Sequence, residues 1–213
     1  RRIKVASYDK EKTKHFLDDK FHLPDLWERS PLRLDDQPVT REILSRVYDS
    51  DDLLCIGSDP FSPVTGKLGE WQDTDLSNLQ LIVPNPMQAR EGLTKEGNLS
   101  ARALSNSSKE SQRRFVIYEH DQDLDINQQA AVIWKLHEIS PFKLVLAVYS
   151  GGKSLHGWFY TCGANPELVD KFKRVAVVLG GDPATMRLNQ FCRLPDGLRD
   201  DGTRQSIMYF DPE

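Results

Sequence analysis

Cysteine is scarce in this chain, and the three that occur, Cys55, Cys162 and Cys192, lie far apart. They form no Cys-x-x-Cys pair, and an odd number argues against a disulfide framework. The setting this implies is a reducing cytoplasm, with all three packed as ordinary buried thiols. Long apolar runs are missing too. Nothing approaches the roughly 20 residues that span a bilayer, so no membrane partner is expected, and no secretory leader is visible. A basic excess is also lacking: Lys and Arg number 28 against 32 Asp and Glu, a net charge of -4. That argues against a generic nucleic-acid coat, but not against an enzyme that sets a local basic groove beside an acidic site. Internal repeats and heptads are absent.

What is present is an ordinary globular balance, 38% hydrophobic and 28% charged over 213 residues. This is enough for one good core plus a small appendage. The first residues are Arg1-Arg2 rather than Met, which reads as a piece of a longer polypeptide. Residues 1–45 are charged and punctuated by Pro24, Pro31 and Pro38. A polar helix fits Lys10 to Lys20, and the stretch reads as an appendage or linker. A truncation near Thr40 is therefore expected to fold. Leu53 to Ile56 and Leu79 to Val83 read as strands, and Ser100 to Glu110 as a mobile loop.

The pattern sharpens after Arg113. Phe115 to Asp121 is a strand. Asp125, with Gln128 three residues on, is a capping box opening a helix with the stripe Ile126, Ala130, Ile133 and Leu136. Leu144 to Tyr149 and Leu155 to Tyr160 are strands joined at Gly151-Gly152. Asn165 and Pro166 start a second helix whose buried face is read as Leu168, Phe172, Val175 and Leu179, stopped by Gly180-Gly181. Ser206 to Phe210 is a last strand. The order β-α-β-β-α-β is that of a split βαβ, ferredoxin-like unit. The fold class is α/β in the α+β sense.

Glu119 and Asp121 stand two apart on a strand, so both point to one face. Such a pair is relieved by a divalent cation, and oxygen ligands suit Mg²⁺ or Mn²⁺. The alternative is a solvated acidic strand end. Ala147 to Ser154 is one residue short of a P-loop pattern, but Leu155-His-Gly-Trp-Phe-Tyr160 continues as a strand, not the helix a P-loop requires. As a hairpin turn, Gly151 and Gly152 bring backbone amides close to a phosphate, and Lys153, Ser154 and His156 add donors.

Val116-Ile-Tyr-Glu119-His-Asp121 resembles the first motif of archaeo-eukaryotic-type primases and primase-polymerases, a hydrophobic strand ending in acid-x-acid. Ser154-Leu-His156 resembles their second motif. Ser150 to His156 is similar to the version in phage- and plasmid-type bacterial members, and Asn189 to Arg199 resembles their Arg-Leu-Pro-Gly segment. The resemblance covers residues 113–213 and reaches more loosely to 51–103. Two positions depart from it: Glu119 stands where many members have Asp, and Asp196 intervenes before Gly197.

The resemblance implies a primase-polymerase catalytic domain over residues 46–213. Its RRM-like half would span 113–213, with an α/β module upstream. It implies nucleotidyl transfer on a single-stranded DNA template from NTP or dNTP, with a helicase or other replication module in the same longer chain. Glu119 and Asp121 would be metal ligands. Asp182 is the expected third acid, with Asp211 its competitor. Ser150, Gly152, Lys153, Ser154 and His156 would hold the triphosphate. Arg193 is either a further phosphate contact or a structural ion-pair partner. The other readings are a non-catalytic nucleic-acid-binding module with bases stacked on the sheet, and a metal-dependent nuclease.

Overall fold

The structure, a computed structural model, describes residues 6–17, 20–34 and 39–213. Three short helices come first: α1 (Lys10–Phe16), α2 (Leu23–Arg29) and α3 (Thr40–Val47). Strands β1 (Leu53–Gly57), β2 (Val64–Lys67), β3 (Leu81–Ile82), β4 (Gly92–Leu93) and β5 (Leu99–Ser100) follow. Then come β6 (Phe115–Glu119), α4 (Ile126–Ile139), β7 (Leu144–Tyr149), β8 (Leu155–Tyr160), α5 (Pro166–Val178), β9 (Cys192–Arg193) and β10 (Ser206–Phe210). No helix among the described residues is long and apolar enough to cross a membrane.

The strands form two four-stranded antiparallel sheets, ordered β2-β1-β3-β9 and β10-β7-β8-β6, and a small hairpin β4-β5. The second sheet has the chain order expected for 113–213. Each helix bridges two strands that have a third between them: β8 lies between β6 and β7, and β7 between β8 and β10. The spatial order differs from a ferredoxin-like sheet in one respect. β6 is an edge strand, and β10 pairs with β7 instead of with β6. The outer edge of β6 is taken by other groups. The Asp182 amide donates to the Glu119 carbonyl at 2.8 Å, and Asn85 Nδ2 and Arg113 Nη1 each donate to the Phe115 carbonyl at 3.2 Å.

The alternation of β6 divides the core. Val116 and Tyr118 face α4 and α5, packing with Ile133, Leu136, Phe159 and Phe172. Phe115 and Ile117 face the other way, against Leu54, Ile56 and Ile82 of the first sheet, together with Trp158 and Leu146. The two sheets therefore bury their facing sides in one shared core. Glu119 continues the Phe115–Ile117 series and emerges at the margin of that core.

The capping signals fold as read. Asp125 accepts from the amides of Asn127 and Gln128, and the Gln128 side chain accepts from the Asp125 amide. Asn165 caps α5, with Pro166 at its first position. The end of α5 is a Schellman motif: Gly180 N–H donates to Val177 C=O at 3.0 Å and Gly181 N–H to Ala176 C=O at 2.8 Å, with Gly180 at φ +91°.

Four expectations are corrected. Of the stripe read for α5, Phe172 and Leu179 are buried and Val175 packs against the core, but Leu168 is exposed, and Val169, Lys173 and Ala176 are buried as well. The buried face is wider than the stripe and takes in the stem of Lys173, which reaches Glu110. Cys162 is exposed, while Cys55 and Cys192 are buried. The stretch read as a mobile loop is anchored, with Asn106, Ser107 and Ser108 buried, and Asn106 Nδ2 donating to the carbonyls of Ala89 and Ala101.

The stretch 1–45, read as an appendage, packs into both cores over its described residues. Phe21 and Leu26 join the core under α4, and Val39, Ile43 and Leu44 join the inter-sheet core. Ser30 Oγ accepts from the Phe210 amide at 2.8 Å, and Asp9 N–H donates to Val178 C=O at 2.8 Å. The polar helix expected over Lys10 to Lys20 is α1, ending at Phe16. Residues 18–19 and Pro38 lie outside the described residues.

Candidate active site

Two strands of the second sheet bring the first pair of candidate groups together. Glu119 on β6 is in register opposite His156 on β8. Cross-strand partners project to the same face, and His156 Nε2 lies 3.5 Å from Glu119 Oε1. The imidazole is buried, and neither ring nitrogen has an aligned hydrogen-bond partner, so the 3.5 Å approach is an electrostatic contact and not a hydrogen bond. Burial holds the His156 pKa below its ordinary value. Glu119 pulls it up and Arg193 pushes it down. The ring is therefore neutral at pH 7.

Arg193 comes from β9 of the other sheet and is half-buried, with Nη1 donating to Gln80 Oε1 at 3.2 Å. It forms no ion pair with Asp196, Asp200 or Asp201 within salt-bridge distance. Asp196 instead accepts from the Val39 amide and lies 3.6 Å from Arg204. Burial lowers the Arg193 pKa, the like charge of Arg199 lowers it further, and Glu119 raises it.

The turn after β7 is the second component. Gly151 has φ +76°, so the chain reverses there without a side-chain penalty. Ser150 closes the loop: its amide donates to Ser154 C=O at 2.9 Å, and its Oγ accepts from Ser154 N–H at 3.1 Å. Gln129 of α4 fixes the far side, donating to Lys153 C=O and accepting from the Leu155 amide. Inside this frame, the amides of Gly151, Gly152 and Lys153 donate to no group among the described residues, and the exposed Lys153 ammonium has no carboxylate partner there. Three consecutive amides without a protein acceptor thus lie beside an ammonium, donors that an anion could take up.

Arg199, which the sequence motifs do not single out, completes this turn. Its Nη1 donates to Ser150 C=O at 3.3 Å, and a Cβ on Gly152 would stand 3.2 Å from the same nitrogen. Gln80 is the other contributor that sequence reading missed. Arg199 ends the Arg-Leu-Pro segment, so its motif was visible but its reach back to the turn was not.

The acids occupy the end of β6. The Asp182 amide donates to Glu119 C=O at 2.8 Å and the Asp121 amide to Gly180 C=O at 3.2 Å, around a bridge between His120 and Gly181. Glu119 and Asp182 thus stand directly across from each other. Asp121, two residues beyond Glu119, is exposed. The Asp182 carboxylate accepts from the Ala184 amide at 2.7 Å. Asp211, the competing acid, is held elsewhere by Lys143 at 2.6 Å. Among the described residues, no three His, Cys, Asp or Glu groups are gathered closely enough to hold a metal ion. The Glu119–Asp121–Asp182 set shares a neighbourhood through its backbone, not yet through its carboxylates.

The chain matches no protein-family model, no curated protein and no solved structure.

Proposed function

We propose that this chain is a template-dependent nucleotidyltransferase of the primase-polymerase kind. The observation that carries the reading is the opposition of two poles at one end of the second sheet. One is a turn with three unspent amides, Lys153 and Arg199. The other is the acid set Glu119, Asp121 and Asp182. A nucleoside triphosphate needs both: donors for its phosphate oxygens, and carboxylates for the cations that accompany it.

Glu119, Asp121 and Asp182 are oxygen donors on paired backbone segments, the kind that suits Mg²⁺ or Mn²⁺. To hold it, their carboxylates, which are not gathered at one point in this structure, would have to converge. When bound, such an ion supplies positive charge to the phosphates during in-line displacement. The protein's own groups do the rest. The amides of residues 151–153 and Lys153 bind phosphate oxygens without having to give up other partners. Arg193 from the opposite sheet and Arg199 from the loop between β9 and β10 add positive charge. Neutral His156 is sealed from solvent at both ring nitrogens, so it acts on the site through Glu119, whose Oε1 lies 3.5 Å from its Nε2.

The base-stacking alternative requires an open sheet face. The face carrying Phe115, Ile117 and Trp158 is packed against the first sheet, and Trp158 is 0% exposed. Of Trp158 and Tyr160, Tyr160 alone remains available, at 43% exposed. A nuclease would use the same acids but has no need of the anion-holding turn. Titration with a nucleoside triphosphate in the presence of Mg²⁺ separates the two. The proposal expects binding that Lys153→Ala and Arg199→Ala weaken. Absence of binding by the unaltered chain would overturn it.

A further inference from the structure

A cavity of about 380 Å³ lies between α5 and the turn that follows Asp182. Val177, Pro183 and Met186 form an apolar wall. Arg174 and Arg187 also line it; both are exposed, and neither has a carboxylate or ring partner among the described residues. The other charges nearby are already matched. Glu110 receives both Arg113 at 2.7 Å and Lys173 at 3.1 Å, and Asp170 stands 3.7 Å from Lys173. Four cations thus face two carboxylates, and the unmatched charge is that of the two arginines.

The cavity backs onto the acid set. Pro183 follows Asp182 directly, and Met186 Cε lies 2.9 Å from where a Gly181 Cβ would be. A volume of this size, with an apolar wall and charged side chains in its lining, is what a small ligand group occupies. Two guanidinium forks match phosphate oxygens bidentately. A flat proline and a methionine give a base or sugar an apolar surface to lie on. An acidic peptide would use the arginines but leave the wall bare.

We infer that this cavity is a subsite for one nucleotide of a single-stranded nucleic acid, with its phosphate between Arg174 and Arg187 and its base or sugar against Val177, Pro183 and Met186. The inference rests on the nucleotidyltransferase reading and assigns that enzyme's template strand a place beside the acids.

The test is fluorescence anisotropy of a labelled single-stranded DNA oligomer over a salt series, using the chain, Arg174→Ala, Arg187→Ala and the double variant. Thermal melting and nucleoside triphosphate binding are measured on the same samples. Each single variant is expected to weaken DNA binding by about tenfold and to flatten the salt dependence by about 0.7 in log–log slope per lost phosphate contact. Melting and triphosphate binding should stay as in the unaltered chain. A double variant that binds DNA within about twofold of the unaltered chain overturns the inference, as does polyglutamate competing as well as DNA. If the variants bind DNA normally while the chain still incorporates nucleotides, the subsite fails and the enzyme reading stands. If the arginines prove to hold DNA but no nucleotide is incorporated, the enzyme reading fails and the subsite stands.

Discussion

Asp182 donates its amide to the carbonyl of Glu119 at 2.8 Å, which sets the acid after α5 directly across from the acid that ends β6. The two are 63 positions apart in sequence. The Schellman turn at Gly180-Gly181 makes them neighbours, because it redirects the chain antiparallel to the end of β6.

Replacing Gly180 should therefore damage both stability and the site. At φ +91°, an added Cβ would fall 2.3 Å from His120 Cε1. Gly180→Ala is expected to cost about 3 kcal/mol in denaturant unfolding, from a left-handed alanine plus overpacking. It should also displace Asp182. Gly202→Ala is the control: Gly202 has φ +80° but nothing within 4 Å, so the expected cost is only about 1 kcal/mol.

The first 39 residues should be indispensable for folding. Leu26 is 0% exposed and packs under α4. Leu26→Ala is expected to cost about 3 kcal/mol, measured by urea titration. A chain starting at Thr40 should be insoluble or molten, and a cooperative, native-like melt from it would contradict this account.

Much of residues 113–213 was legible because local chemistry decides it. Asp125-x-x-Gln128, Asn165-Pro166 and Gly180-Gly181 fix helix ends through their own side chains or φ values, and Glu119 and His156 were placed on strands by period 2. What was not legible depends on distant partners. The charges and prolines of residues 1–45 hide Phe21, Leu26, Ile43 and Leu44, which look scattered until α4 and β10 lie beneath them. The burial of Lys173 on α5 depends on Glu110, 63 positions away. The position of β10 next to β7 follows from the occupied edge of β6. Arg199 became a site residue only when the turn at Gly152 came within its reach.

Glu110 should make the fold acid-sensitive. Burial pushes its carboxyl up, but Arg113 and Lys173 outweigh that and hold it at about 2. A depressed folded-state pKa contributes stability above the unfolded value, and that stability is lost as pH falls from about 4.5 toward 2. The carboxylate is 55% exposed, so screening reduces its worth to about 1 kcal/mol. Glu110→Gln should lower stability by about that amount at pH 7, and the gap between the two proteins should close by pH 2, as read from unfolding curves at each pH.

His156→Ala and Lys153→Ala should weaken triphosphate binding more than DNA binding. Both belong to the turn and its flanking strand, whereas the Arg174–Arg187 cavity lies beside α5. Loss of DNA affinity with unchanged triphosphate affinity would assign the turn to the other ligand.

The most direct measurement is incorporation of labelled nucleotides on a primed single-stranded DNA template with Mg²⁺ or Mn²⁺, comparing the chain with Glu119→Ala and Asp121→Ala at matched circular dichroism. The account predicts extension by the unaltered chain and a loss of at least about a hundredfold in each variant, as expected when charge stabilisation at the reacting phosphate is removed. No incorporation by the unaltered chain with either metal, or undiminished incorporation by both variants, would contradict it.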